Sequence, residues 1–245
     1  MSQSQSDGVA EEEVFALRQL SGFWKWLPRV STVVLTFLSL TYLLNIKIFG
    51  DFTFLENQHY YVIVGLMMPL VFVIWPAGSW AVRDRVPWYD VVLFLLGVAT
   101  CAFFAFNAER ILNEGWEYSA PGYAVAMSVL LWALVLEAAR RAGGWPIAII
   151  VGLASIYPIF AGVMPGPIQG FPSSFDQTAI YHAMSRESIM GIPMRAFAGL
   201  VIGFLLFGVA LQHTGGGKFF INLAFSMLGH VRGGPAKVAI FSSGF

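Results

Sequence analysis

The segment Gln212-His-Thr-Gly-Gly-Gly-Lys218 comes closest to a chemical motif, because a glycine-rich turn ending in lysine can wrap a phosphate in backbone N–H groups. It fails the spacing G-x-x-x-x-G-K-[ST]: Gln212 stands at the first glycine, and Phe219 stands where Ser or Thr would hold magnesium. No nucleotide site is expected. His59, His182, His213 and His230 occupy different loops or span ends and lack the i, i+4 spacing that puts two imidazoles on one helix face, so interface or capping roles are expected and no metal site. Cys101 is the single cysteine, which excludes an internal disulfide and a thiolate cluster and leaves a packing role. Asp90, Glu109, Glu137 and Lys47 lie within a turn or two of the ends of apolar stretches, where a charge can snorkel to water. With no Ser/His/Asp set and no paired carboxylates inside one stretch, an intramembrane enzyme lacks its groups. No catalytic, metal-binding or cofactor-binding residue is assigned.

The elements that carry these residues are six apolar stretches, approximately Val30 to Phe49, Tyr60 to Trp80, Tyr89 to Phe106, Pro121 to Glu137, Trp145 to Pro165 and Ala196 to Gln212. Each is near the roughly 20 residues a helix needs to cross ~30 Å of hydrocarbon. A shorter one, Phe219 to Leu228, follows. The chain is 57% hydrophobic and 11% charged with a mean hydropathy of +0.69, more apolar surface than a water-soluble fold can hide. Runs such as Val30-Ser-Thr-Val-Val-Leu-Thr-Phe-Leu lack the in/out alternation of barrel strands, so the spans are helices. The predicted fold is an all-α, polytopic integral membrane protein.

Fourteen Lys and Arg balance fourteen Asp and Glu, so net charge points to no nucleic-acid partner. The placement of the cations says more. Arg18, Lys25, Arg29, Arg83, Arg85, Arg140, Arg141, Lys218, Arg232 and Lys237 fall in one alternating set of loops, and only Lys47, Arg110, Arg186 and Arg195 in the other. The positive-inside rule then puts the N-terminus in the cytoplasm and the segments around Asp51, Glu114 and Asp176 outside. The polar leader Met1 to Ala10 and the acidic Glu11-Glu12-Glu13 do not form a cleavable signal peptide. Leu17 to Leu27, with Phe23, Trp24 and Trp26 beside Lys25, fits either an interfacial helix or an extension of the first span.

Short connections make the first four spans antiparallel neighbours, a four-helix unit from about Pro28 to Arg141. Ala142-Gly143-Gly144 is a hinge, and Pro158 should kink the fifth span. The longest connection, Gly166 to Pro193, contains Phe175-Asp-Gln-Thr-Ala-Ile-Tyr-His-Ala-Met, whose apolar face fits a partly buried interfacial or re-entrant helix, or else a surface loop. Gly199 and Gly203 form a G-x-x-x-G pair in the sixth span.

Gly191-Ile-Pro-Met, Phe204-Leu-Leu-Phe-Gly, Thr214-Gly-Gly-Gly-Lys-Phe-Phe-Ile-Asn-Leu-Ala and Arg232-Gly-Gly-Pro-Ala-Lys-Val-Ala together resemble the opening of the large membrane subunit of tripartite ATP-independent periplasmic (TRAP) transporters, most of all the fused permeases of the TAXI branch. The preceding four-span unit resembles the small membrane subunit joined to the large one. Four parts follow: a tail and interfacial helix over 1–29, a small-subunit-like module over 30–141, a connector span and outer loop over 142–193, and the start of the large subunit over 194–245. The resemblance implies a secondary transporter of the bacterial or archaeal inner membrane. It would import an organic acid or amino acid by symport driven by a sodium gradient, with an extracytoplasmic binding protein as partner and no cofactor beyond the coupling ion. Family members move substrate by an elevator-like shift of a transport domain against a scaffold. The chain stops at Phe241-Ser-Ser-Gly-Phe245, where they continue into a Gly/Ser-rich hairpin, so it resembles an N-terminal fragment and its substrate-binding residues are expected downstream of Phe245. The loop Gly166 to Pro193 would face the binding protein through Asp176, Arg186 and Glu187. The alternative is a non-transporting membrane scaffold or assembly partner.

Overall fold

A computed structural model of the protein describes residues 17–46, 55–78 and 80–228; the expectations for the leader, Lys47, Asp51, His230, Arg232, Lys237 and the segment after residue 228 lie outside these. Every regular element among the described residues is helical. In chain order they are α1 (Phe23–Leu43), α2 (Glu56–Ile74), α3 (Trp88–Phe106), the short α4 (Ala108–Asn113), α5 (Gly122–Phe160), α6 (Phe175–Met184), the short α7 (Ile192–Ala196), α8 (Ile202–His213) and α9 (Gly216–Leu228). A π-helical turn, Phe197–Val201, joins α7 to α8. Five helical stretches are long and apolar enough to cross a membrane: α1, α2, α3, α5 extended to Val163, and the run Ile192–His213. This is the architecture of a polytopic membrane protein.

The fourth and fifth predicted spans follow one another within a single stretch of 39 residues, broken at Gly144 by φ 79° and ψ 177°. The break reverses the chain. An unbroken helix would hold Trp132 and Ser155 about 34 Å apart at 1.5 Å per residue, yet His182 touches both, its ring centroid 5.1 Å from that of Trp132 and its Nε2 2.7 Å from the Ser155 carbonyl oxygen. α5 is therefore a helical hairpin with legs 122–143 and 145–160. The backbone of Gly144 lies where residues with a Cβ are essentially never found, so glycine makes the turn possible.

α2 is the central helix, burying Tyr61, Ile63, Phe72 and Val73 almost completely. In a bilayer, helices associate through close packing, and small residues allow it. A Cβ added at Gly65 would lie 2.8 Å from Cys101 Cβ, and one at Gly97 would lie 3.0 Å from Pro69 Cγ, so two glycines set the approach of α2 and α3. Cys101 is thus the buried packing residue its position suggests. Nearer the other end of α2, Phe72 packs with Leu134 and Ala138 of the first α5 leg. α1 lies on α2 by a narrow face of Ser31, Leu35 and Ser39 and begins at Phe23, which makes that part of Leu17 to Leu27 an extension of the first span; residues 17–22 are not helical.

The chain divides into two compact units, Met1–Ala198 and Gly199–Phe245. In the second, α8 and α9 pack on each other across a turn where Gly215 has φ 80° and a Cβ on Gly216 would come within 2.4 Å of Leu211 Cδ1. The glycine run that superficially resembles a phosphate cradle is a helix–helix joint.

Gly144→Ala should lower stability by about 1–3 kcal/mol, the range for holding such a backbone with a Cβ. Reversible unfolding in mixed micelles reads this directly; an unchanged midpoint would mean that the hairpin does not need the glycine conformation.

Candidate functional site

Helix ends leave carbonyls and amides without intrahelical partners, and in an apolar medium each must find one. At the C-terminal end of α2 the partners are arginines. Val71 O accepts from the Trp75 amide, Phe72 O and Val73 O accept from Arg18 Nη1 at 3.1 and 3.0 Å, and Ile74 O accepts from the Arg18 backbone amide at 2.9 Å. Beyond the helix, Trp75 O accepts from Arg141 Nη1 at 3.3 Å and Ala77 O from Arg140 Nη1 at 2.9 Å. The negative end of the α2 dipole favours these cations.

The anion that balances them is Asp90, in the first turn of α3, where the positive end of that helix favours a carboxylate. Asp90 is wholly buried. Its Oδ2 accepts from Arg18 Nη2 and its Oδ1 from Arg141 Nη1, both at 2.7 Å, and the three side chains are 0–2% exposed. Glu137 extends the cluster, accepting from Arg140 and Arg141 at 2.7 Å, with Glu137 and Arg140 partly exposed. The expectation that Asp90 and Glu137 snorkel is corrected for Asp90: it points inward, because two guanidinium groups satisfy it where water does not reach. Arg18, Arg140 and Arg141, counted in the sequence as loop cations, are structural.

The other end of α2 carries a different surface. α6 has ten residues, about 15 Å, half the depth of the hydrocarbon. It starts with a capping box in which Ser174 Oγ accepts from the Gln177 amide and Gln177 Oε1 accepts from the Ser174 amide. It buries Thr178, Ala179, Ile180, His182, Ala183 and Met184, and Tyr61 Oη donates to Ala183 O at 2.9 Å, so the helical, partly buried reading of this segment fits and the surface-loop reading does not. His182 is neither a cap nor a surface group. Its Nε2 donates to the Ser155 carbonyl, which only accepts, and its Nδ1 is hydrogen-bonded to Ser188 Oγ at 2.7 Å. That imidazole ties both α5 legs to α6, at mid-leg depth beside Trp132.

Glu117, Tyr118, Pro158, Gln177, Tyr181, Arg186 and Glu187 line an open cleft of about 750 Å³ above α6. Tyr118 is 80% exposed, and its hydrogen bond to Glu117 holds the phenol above its ordinary range. Asp176, Arg186 and Glu187 are exposed, while Arg195 pairs with Glu56 at 3.3 Å and fixes the start of the last long run to the start of α2. Charges of both signs rim the cleft without closing it. His59 is buried in the first turn of α2 and stacks on Tyr42 at 4.1 Å, and His213 is exposed at the end of α8. Among the described residues no group of His, Cys, Asp and Glu could hold a metal ion.

Asp90→Asn removes the charge that balances two buried guanidinium groups and should cost about 3–5 kcal/mol, whereas Arg140→Ala, in a partly exposed pair, should cost about 1 kcal/mol or less. Unfolding midpoints of the two variants compared side by side provide the check. Equal losses would contradict the separate roles.

No curated protein and no solved structure matches the chain. A family model does match, described as "Tripartite ATP-independent periplasmic transporter, DctM component". It covers residues 130–245, a little under half of the chain, and begins inside the first α5 leg, within the stretch expected to belong to the small-subunit-like module. That component belongs to transporters, not to enzymes, and the match supports a permease of this type. From the middle of the first α5 leg onward, the protein is similar to the DctM component of tripartite ATP-independent periplasmic transporters.

Proposed function

We propose that the chain forms part of a fused TAXI-type TRAP permease that imports an organic acid or amino acid by symport with sodium, fed by an extracytoplasmic binding protein. The observation that carries this reading is the family match over residues 130–245, which contains the α5 hairpin from within its first leg onward, α6 and the glycine joint between α8 and α9. In this reading α1 to α3 and the α5 hairpin form the stationary scaffold in the bacterial or archaeal inner membrane, and the N-terminus is cytoplasmic. In this reading the Ile74 end of α2, where Arg18, Arg83, Arg140 and Arg141 gather, is the cytoplasmic one, and the end where α6 meets Tyr61 is the outer one. The cleft above α6 then faces the binding protein, and its mixed charges steer and register the docking partner.

Proteoliposomes containing the complete permease, supplied with the binding protein, should accumulate a labelled organic acid only under an inward sodium gradient. Asp176→Lys, Arg186→Glu and Glu187→Lys should slow association with the binding protein and change its salt dependence. Uptake that persists after the sodium gradient is collapsed would remove the coupling assignment, and association unchanged by all three reversals would remove the docking face.

A further inference from the structure

A second cavity, about 320 Å³, lies between the two legs of α5 and is walled by Trp132 and Leu136 from the first leg, Ile150, Val151 and Ala154 from the second, and Ile189 beyond α6. Trp132 stands midway along the first leg, so the cavity sits at the depth of the hydrocarbon rather than of the headgroups. It is open to one side. Ile150, 67% exposed, and Val151 belong both to the cavity wall and to the exposed apolar surface of the second leg, so the opening is continuous with the kind of surface that a spanning helix turns to lipid.

The chemistry of the walls selects the occupant. His182 and Ser188 also border the cavity, but they are bonded to each other, and the second His182 nitrogen is bonded to the Ser155 carbonyl. The remaining donor, Trp132 Nε1, is buried without a hydrogen-bond partner. One indole N–H cannot satisfy a carboxylate, which brings about four lone-pair sites, so a transported organic acid does not fit. Nor does a helix, which is 10–12 Å across with its side chains. A single hydrocarbon chain does, and by filling the void it recovers the dispersion contacts that empty space forfeits.

We propose that this cavity holds one acyl chain of a bilayer phospholipid, wedged between the legs of the α5 hairpin. The chain enters sideways from the membrane and sets the splay of the two legs, while His182 closes the inner edge. The site is formed by the hairpin with α6 and the segment after it and is independent of what the protein transports.

The test is photolabelling of the full chain reconstituted in nanodiscs that contain a phosphatidylcholine with a mid-chain diazirine, irradiated after detergent washing so that only retained lipid reacts. Label is expected on peptides of both α5 legs and not on the bilayer-exposed α1. Ala154→Phe, which fills the cavity, should reduce that label several-fold, and Leu136→Phe should do the same from the opposite wall. Helical circular dichroism and monodisperse elution identify which variants are folded, and the distribution of label in the unsubstituted chain decides the matter if neither is. Equal label on α1 and the legs, or label indifferent to a folded filling variant, would overturn the proposal. So would a diazirine fatty acid that labels the legs and is not displaced by phospholipid, because the source would then be a free acid.

Discussion

The carboxylate of Asp90, held between the guanidinium groups of Arg18 and Arg141, is the contact on which the arrangement of the helices rests. Three parts of the chain far apart in sequence meet there: the non-helical segment before α1, the start of α3 and the end of the first α5 leg. The same arginines satisfy carbonyls at and just beyond the C-terminal end of α2. A charge at this depth is expensive unless paired, so each member of the cluster constrains the others. Well-packed apolar residues can match the stability of such a cluster, and what the ions contribute beyond that is a unique geometry. Here the geometry is the register of α2 against α3 and α5.

That register carries to the opposite end of the bundle. With α2 fixed at its C-terminus and brought close to α3 at Gly65 and Gly97, Tyr61 is placed to hold the Ala183 carbonyl, and α6 lies against the hairpin through His182. The open cleft above α6 is thus lined by one face of α6 and by the turns around Glu117, Tyr118, Arg186 and Glu187. The clamp and the cleft are two ends of one packed unit.

Much of the fold was legible because hydropathy and glycine placement act locally. The positions of the long helices follow from apolar runs, and Gly143-Gly144 marked the reversal that makes one assigned helix into two legs. The clamp was not legible, because Asp90 meets its partners across 72 and 51 positions of sequence, and near a span end a lone carboxylate reads as one that reaches for water. Arg18 and Arg141 were visible only as cations, and the count of cations by loop cannot tell a topological signal from a buried partner. Glu137, with Arg140 and Arg141 three and four positions on, was the available hint of a cluster. His182 was read as a loop residue because its depth depends on α6 folding back against the hairpin. The capping pair Ser174 and Gln177, by contrast, lies three residues apart in the sequence and marks where α6 starts.

A double-mutant cycle between Arg18→Met and Arg141→Met, measured by reversible unfolding in mixed micelles, tests the central role of Asp90 most directly. The two arginines share one carboxylate, so the summed losses of the single variants should differ from the loss of the double variant by about 1 kcal/mol or more. Additive losses, within about 0.3–0.5 kcal/mol, would contradict the account, since the two contacts would then be independent and no clamp would join the three segments.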